Sequence, residues 1–252
     1  MNIYLILFMR IISRIDIKNE FVIKGINLEG LRKIGEPLEM ATRYYNEGID
    51  EIIMIDAVAS LYGRNNLFNI VERSVENIFV PITLGGGIRS LKDIDKALKS
   101  GADKVAINSY ATENPNFIRE AVENFGSSTI TIYIEAKNVG HKKWEAFKNS
   151  GRDKTGLEIL DWIKKVQDYN CGELLITSVD FEGLQKGFDI DLLEKIYPHV
   201  GVPLIFNGGC GKIEDIVNIK KNYENISFSV ASAFHYKKIT IKDLKNEKNL
   251  YS

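Results

Sequence analysis

The chain has 252 residues, of which 44% are hydrophobic and 27% are charged, so it can bury one large core. Its 33 basic and 34 acidic residues nearly balance, which argues against nucleic acid or a membrane surface as a partner. The two cysteines and three histidines fit neither a disulfide framework nor a metal site, so we expect a cytoplasmic protein without metal or cofactor.

The first residues form an apolar run over residues 3–8, far shorter than the roughly 20 residues that a membrane span requires. Met9 is an alternative start for translation. We therefore expect residues 1–8 to be an N-terminal extension and residues 9–252 to form a single domain.

Apolar, β-branched runs then alternate with helical patterns, as in a parallel sheet covered by helices. The strands are expected near residues 10–16, 50–56, 79–84, 103–108, 129–135, 173–178, 202–206 and 226–231. The helices are expected near residues 37–46, 67–75, 91–99, 116–124 and 157–167, with C-terminal glycines at Gly48, Gly101, Gly126 and Gly172. Residues 138–155 are expected to form a long irregular loop after the fifth strand.

The sequence also repeats itself at half its length. Val80-Pro81-Ile82 before one glycine cluster returns as Val202-Pro203-Leu204 before another, 122 positions later. This spacing fits four strand-plus-helix units. The predicted fold class is therefore α/β, a (βα)8 TIM barrel built from two half-barrel repeats.

The glycine clusters, Gly85 to Gly87 and Gly208-Gly209, each lie between a strand and a helix. Backbone amides at such a turn can bind a phosphate, although tight turns alone would also explain glycine there. Small polar pairs, Asn108-Ser109 and Ala231-Ser232, follow the next strands. The duplicated arrangement predicts two phosphate sites, and hence a substrate with a phosphate at each end.

Asp16 and Glu135 end the first and fifth predicted strands, where they should face each other across the barrel mouth. A buried carboxylate requires a partner or a role. The pair is therefore either a general acid and base or part of structural ion pairs.

Charged residues also mark the starts of four strands, at the opposite end of the barrel. Their alternating signs predict a closed cluster over the bottom mouth, which in barrels is commonly only a stabilising plug. These residues are Arg10, Glu51, Lys104 and Glu173.

Together these motifs resemble the cyclase subunit of imidazole glycerol phosphate synthase, the HisF-type barrel of histidine biosynthesis. The resemblance extends from Met9 to about Leu244. It is carried by Arg10-Ile11-Ile12, Asp16-Ile17-Lys18, Val22 to Gly25, Gly85 to Ser90, Gly101 to Asn108, Thr155-Gly156 and Gly208-Gly209.

The resemblance implies that a HisH-type glutaminase docks on the bottom of the barrel and that ammonia travels through the barrel. At the top, ammonia would react with a bis-phosphorylated formimino ribulosyl carboxamide nucleotide to give imidazole glycerol phosphate and an aminoimidazole carboxamide ribotide. It implies that Asp16 and Glu135 are catalytic and that Asp103 contacts the glutaminase. The charged cluster would be the ammonia gate. The implied substrate-binding residues are Lys24, Gly86, Gly87, Asn108, Ser109, Thr177, Asp180, Gly183, Gly208, Gly209, Ala231 and Ser232.

Several residues depart from the family pattern, among them Leu184, Asn207 and Cys210 near the second phosphate site, and two others keep other functions open. Glu135 stands where the family has the shorter aspartate, and Arg14 replaces a small residue. By strand alternation Arg14 points to the same side as Asp16, where it would lower the pKa of that carboxyl. The alternatives are a paralogue that delivers ammonia to a sugar amidotransferase for amidino-sugar synthesis, and a non-catalytic ammonia conduit or scaffold.

Overall fold

A barrel of parallel strands forms the centre of the computed structural model, which describes residues 9–59 and 67–247. The predicted extension over residues 1–8 lies outside the described residues. The strands are β1 (Ile11–Lys18), β2 (Phe21–Ile26), β3 (Glu29–Gly35), β4 (Glu51–Asp56), β5 (Ile82–Gly85), β6 (Lys104–Ile107), β7 (Ile130–Gly140), β8 (Lys143–Lys148), β9 (Asp153–Glu158), β10 (Glu173–Ser178), β11 (Leu204–Asn207) and β12 (Ile226–Val230).

Eight of these strands close the barrel in the order β1, β4, β5, β6, β7, β10, β11 and β12. Every neighbouring pair is parallel, and β12 pairs back with β1. The predicted (βα)8 barrel is therefore confirmed, while its division into two half-barrel repeats stays a prediction from the sequence.

Helices connect the strands of the barrel, and those predicted from the sequence occur within about two residues of the expected positions. The described helices are α1 (Pro37–Asn46), α2 (Phe68–Val75), α3 (Leu91–Lys99), α4 (Ser109–Glu113), α5 (Asn116–Phe125), α6 (Ile159–Asp168), α7 (Ile190–Ile196), α8 (Ile213–Lys220), α9 (Ser232–His235) and α10 (Ile241–Asn246). Short 3-10 turns occupy Ser127–Thr129 and Tyr197–His199. No helix in the described ranges is long and apolar enough to cross a membrane.

The irregular loop expected over residues 138–155 was a wrong prediction. β7 continues to Gly140, and β8 and β9 add two antiparallel strands to it. His141 and Lys142 adopt left-handed backbone angles that make the turn, and the buried Trp144 lies between the exposed Lys143 and the half-buried Glu145. A second hairpin, β2 with β3, follows β1 and was not predicted.

The apolar residues form two separate cores, one between the strands and the helices and the other inside the barrel. Ile11 and Ile15 of β1 belong to the outer core, whereas Ile12 between them belongs to the inner one. This alternation places every second residue of a strand in the barrel lumen.

Three of the four glycines predicted to end helices do so with positive φ angles: Gly48, Gly101 and Gly126. Gly172 was wrongly grouped with them, since it has no positive φ. A side chain there would instead meet the backbone of Ser127, because a Cβ would lie 2.0 Å from its carbonyl oxygen.

Gly101 and Gly126 form a matched pair for a test of crowding. A Cβ on Gly101 would lie 2.7 Å from Val75 Cγ1, whereas a Cβ on Gly126 would meet nothing within 4 Å. Both substitutions force alanine to positive φ, but only Gly101→Ala also overpacks the core. We expect Gly101→Ala to reduce the free energy of unfolding by about 1–3 kcal/mol more than Gly126→Ala, measured by urea denaturation. Equal losses would contradict the crowding argument.

Candidate active site

The upper end of β1 sets the geometry of the site. Because alternate residues face the lumen, Arg10, Ile12, Arg14 and Asp16 follow one another up the inside of the barrel. Arg14 and Asp16 are both buried although both are charged. Charges buried at this depth require partners of opposite sign.

The predicted contact between Arg14 and Asp16 is present. Arg14 Nε donates to Asp16 Oδ1 at 2.8 Å, and Arg14 Nη1 donates to Thr177 Oγ1 on β10 at 2.9 Å. The guanidinium also lies 4.9 Å from the centre of the Tyr133 ring. Arg14 is therefore held on three sides.

Asp16 forms a second ion pair with Lys24 of β2, whose Nζ lies 3.5 Å from Oδ2. Burial alone would raise the pKa of Asp16, but the positive charge of Arg14, aided by Lys24, holds this pKa below its ordinary value. Asp16 is therefore an ionised carboxylate at neutral pH.

Glu182 is a member of this network that the sequence analysis missed. Its buried carboxylate forms a close ion pair with Lys24 and accepts a hydrogen bond from Asn207 Nδ2 at 2.8 Å. Asn207 also donates to Thr177 Oγ1 at 3.1 Å. Glu182 lies two residues after Asp180 in an irregular loop, where no strand periodicity predicts which of the two carboxylates faces the lumen.

The predicted substrate-binding residue Asp180 lies at the rim instead. Its Oδ2 accepts a hydrogen bond from the backbone of Asn138 at 2.7 Å, and its carbonyl accepts one from Asn27 Nδ2 at 2.9 Å. Asp180 thus connects the two hairpins that surround the mouth, and its contact with substrate stays a prediction.

Glu135 lies at the top of the lumen on β7, under the turn between β8 and β9. Its Oε2 accepts a hydrogen bond from the backbone N–H of Gly151 at 2.8 Å. Burial raises the pKa of Glu135 to about 7, although Gly151 and Arg14 offset part of this effect. Glu135 can therefore hold or release a proton near neutral pH, whereas Asp16 stays ionised. Environments that separate two carboxyl pKa values in this way suit an acid and base pair.

The predicted first phosphate site is a pocket at the ends of β5 and β6. Gly86 has a φ of +91°, and a Cβ there would lie 2.4 Å from the Asp56 carbonyl oxygen, so only glycine fits. The Ser109 hydroxyl accepts a hydrogen bond from the Asn149 backbone at 3.2 Å. Ser150 follows Asn149 in the same turn, and its hydroxyl donates to the Ala57 carbonyl oxygen at 2.9 Å. The turn between β8 and β9 therefore covers this pocket. The pocket brings together Gly86, Gly87, Asn108 and Ser109.

The predicted second phosphate site is a pocket at the ends of β11 and β12. Gly209 has a φ of +102°, and a Cβ there would lie 2.0 Å from the Gly187 carbonyl oxygen. The Ser232 hydroxyl is buried and has no hydrogen-bond partner among the described residues. Cys210 is a free, buried cysteine of the same pocket. The predicted members that line it are Gly183, Gly208, Gly209, Ala231 and Ser232.

The four charged residues predicted at the bottom mouth form one ring of ion pairs. Arg10 Nη1 lies 2.6 Å from Glu51 Oε2, and Arg10 also forms a close ion pair with Glu173. Lys104 Nζ lies 2.8 Å from Glu51 Oε1 and 2.9 Å from Glu173 Oε2. The ring spans the lumen, because β4 and β10 lie on different sides of the barrel.

Two further residues stand on the same bottom face. Asp103 is exposed, and its Oδ2 accepts a hydrogen bond from the Ile82 backbone at 2.8 Å. Phe79, in the connection from α2 to β5, is 76% exposed and contacts the Tyr45 ring edge to face at 6.1 Å. The sequence analysis missed Phe79, because a phenylalanine next to a strand is usually part of the core.

The chain is similar in sequence to known proteins over most of its length. The sequence model of the family described as histidine biosynthesis protein matches residues 10–240. The imidazole glycerol phosphate synthase subunit HisF of Legionella pneumophila is 48% identical over 206 residues, which cover 82% of this chain and 97% of the relative. The subunits of the same name from Bacillus cereus strains Q1 and AH187 are each 41% identical over 238 residues, covering 94% of both chains.

The raised pKa of Glu135 makes stability depend on pH. The folded chain binds this proton with a pKa of about 7, against 4.5 for an ordinary glutamate. The stabilisation of the folded state by this proton is complete below pH 4.5. It is lost as the pH rises through the folded-state pKa of about 7. Between about pH 5 and pH 8 we expect the wild type to lose about 2–3 kcal/mol more unfolding free energy than Glu135→Gln, measured by urea denaturation. Parallel pH profiles of the two proteins would contradict the argument.

Proposed function

The chain belongs to the histidine biosynthesis protein family, and we propose that the residues at its barrel mouth carry out the cyclase reaction of that pathway. The chain is a HisF-type cyclase subunit of imidazole glycerol phosphate synthase, and hence an enzyme. The observation that supports the site assignment is that Asp16 and Glu135 line one cavity, where Arg14 keeps the pKa of Asp16 low despite burial and burial raises the pKa of Glu135 to about 7.

The proposed substrate is the bis-phosphorylated formimino ribulosyl carboxamide nucleotide, with one phosphate at each glycine-rich pocket. Backbone amides at Gly86 and Gly209 sit where side chains are sterically excluded, and the Ser232 hydroxyl is available to a phosphate oxygen. Ammonia attack creates positive charge on nitrogen, which the Asp16 carboxylate stabilises. Glu135 then transfers the protons that loss of the ketone oxygen as water, ring closure and fragmentation require, giving imidazole glycerol phosphate, the aminoimidazole carboxamide ribotide and water.

The partner implied by the subunit name is a HisH-type glutaminase, and we place its docking surface on the bottom face. Phe79 is the most exposed large hydrophobic side chain of the described residues, and it lies on that face with Asp103. Exposed aromatic residues are typical anchors of protein interfaces. The ion-paired ring of Arg10, Glu51, Lys104 and Glu173 would be the entrance for ammonia.

We also propose that residues 9–252 form one domain and that the protein is cytoplasmic. Both cysteines are free thiols, as expected in a reducing compartment. Neither a metal nor a cofactor takes part in the proposed steps. Among the described residues, no cluster of histidine, cysteine and acidic side chains could hold a metal ion.

One observation favours the alternative, a paralogue that passes ammonia to a sugar amidotransferase. Both oxygens of Asp16 are already engaged by Arg14 and Lys24, so substrate must compete with these cations for the carboxylate. A barrel that only conducts ammonia would not need Asp16 to be accessible. The two functions differ in whether the isolated barrel converts the nucleotide.

We expect purified protein to consume the bis-phosphorylated nucleotide when excess ammonium salt is supplied at mildly alkaline pH. Asp16→Asn should reduce this turnover about 100-fold or more, because it removes the ionised carboxylate from the reaction centre. Asp95→Asn is the control, since Asp95 forms an ion pair with Lys99 on the exposed face of α3, away from the barrel mouth. Substrate binding without turnover, unrestored by Glu135→Asp combined with Arg14→Cys, would favour the sugar-amidotransferase alternative.

We expect Phe79→Ala to weaken the complex with the glutaminase at least tenfold, because it removes an aromatic anchor from the bottom face. Ile190→Ala is a matched control: Ile190 is 42% exposed but lies at the start of α7, near the opposite end of the barrel. Titration calorimetry gives both dissociation constants. An unchanged constant for Phe79→Ala would exclude this surface as the centre of the interface.

A further inference from the structure

Arg14 crosses the whole width of the barrel. In the closed ring of eight strands, β7 lies opposite β1 and β10 is next to β7. Arg14 starts on β1, donates to Thr177 on β10 and places its guanidinium over the Tyr133 ring on β7. The side chain therefore occupies the axis of the lumen and not its wall.

An apolar layer separates Arg14 from the ion-paired ring at the bottom. Arg10 and Arg14 are four residues apart on one strand, which corresponds to about 13 Å. The side chains between them are buried and mainly apolar, although the hydroxyls of Tyr133 and Ser229 also lie in this layer. The other members are Ile12, Ile53, Ala106, Leu175 and Ile205.

We propose that Arg14 is a second gate, which closes the upper end of the lumen to cations and opens for neutral ammonia. This inference rests on the proposed function, in which ammonia rises through the barrel. A guanidinium keeps its charge at all relevant pH values, so it repels ammonium, whereas its N–H groups can donate to the lone pair of ammonia. Only the neutral form is a nucleophile.

The contact with Asp16 connects this gate to the substrate. Arg14 Nε binds Asp16 Oδ1, and Asp16 is the carboxylate proposed to face the reacting nitrogen. A substrate that engages Asp16 competes with Arg14 for that oxygen. Arg14 then loses one of its three contacts, so ammonia is admitted when substrate is in place and is retained when it is not.

The test uses the complex with the glutaminase, supplied with glutamine carrying ¹⁵N in its amide, the nucleotide substrate and unlabelled ammonium salt. The measured quantity is the unlabelled fraction of the imidazole product, determined by mass spectrometry. Arg14→Met removes the charge at similar length, so channelled ammonia should exchange with solvent before it reacts. We expect the unlabelled fraction to rise at least threefold over the wild type.

Two controls separate gating from other effects. Glu135→Gln slows the chemistry but leaves the three Arg14 contacts, so its unlabelled fraction should stay below that of Arg14→Met. Arg119→Met removes a comparable arginine, stacked 4.8 Å from the Tyr169 ring on the outer helices, and should match the wild type. If Arg14→Met does not fold, Arg14→Lys is tested instead. Lysine keeps the positive charge but loses the planar guanidinium that spans the lumen. Its unlabelled product fraction is expected to lie between those of the wild type and of a variant without the charge.

An unlabelled fraction that is unchanged in Arg14→Met and in Arg14→Lys, or that rises equally in Glu135→Gln, would overturn the second gate while leaving the cyclase function intact. Absence of wild-type turnover even with ammonium alone would overturn the proposed function, and the gate with it.

Discussion

The pairing of charges inside the barrel is the constraint on which the rest of the structure depends. Breaking a buried ion pair by removing one partner costs several kcal/mol, because the other charge is left uncompensated. The lumen contains two groups of buried charges, and the charges are paired in each. Two cations and two carboxylates close the bottom, and Arg14 and Lys24 balance Asp16 and Glu182 near the top. Glu135 has no such cation as a direct partner among the described residues, and burial accordingly raises its pKa.

Most of the fold could be predicted from the sequence, because strands buried on both sides read as continuous apolar runs with glycines at the helix ends. The hairpin of β8 and β9 could not, since its charged, half-exposed strands lack such a run. The bottom ring was predictable for a simple reason: its four residues begin strands, and strand starts in a closed barrel must converge.

The upper network was only partly predictable. Strand alternation was enough to bring Arg14 and Asp16 together, because both lie on β1. Glu182 lies in a loop, so its place beside Lys24 depends on how two distant connections fold over each other. Asn207 and Thr177 complete the same network from neighbouring strands. Arg14, which departs from the family pattern, contacts Asp16 and Thr177 in this network, so the effects of substitutions at these three residues on catalysis will not be additive.

The buried thiols have a consequence for the life of the enzyme under oxidative stress. Burial raises the pKa of Cys171 to about 12 and that of Cys210 even further, so both remain protonated. Peroxide attacks thiolates and not thiols. Cys210 lines a proposed binding pocket, but its thiol stays protonated and therefore reacts slowly with an oxidant that enters the pocket. Peroxide should therefore not inactivate this barrel through oxidation of its own cysteines.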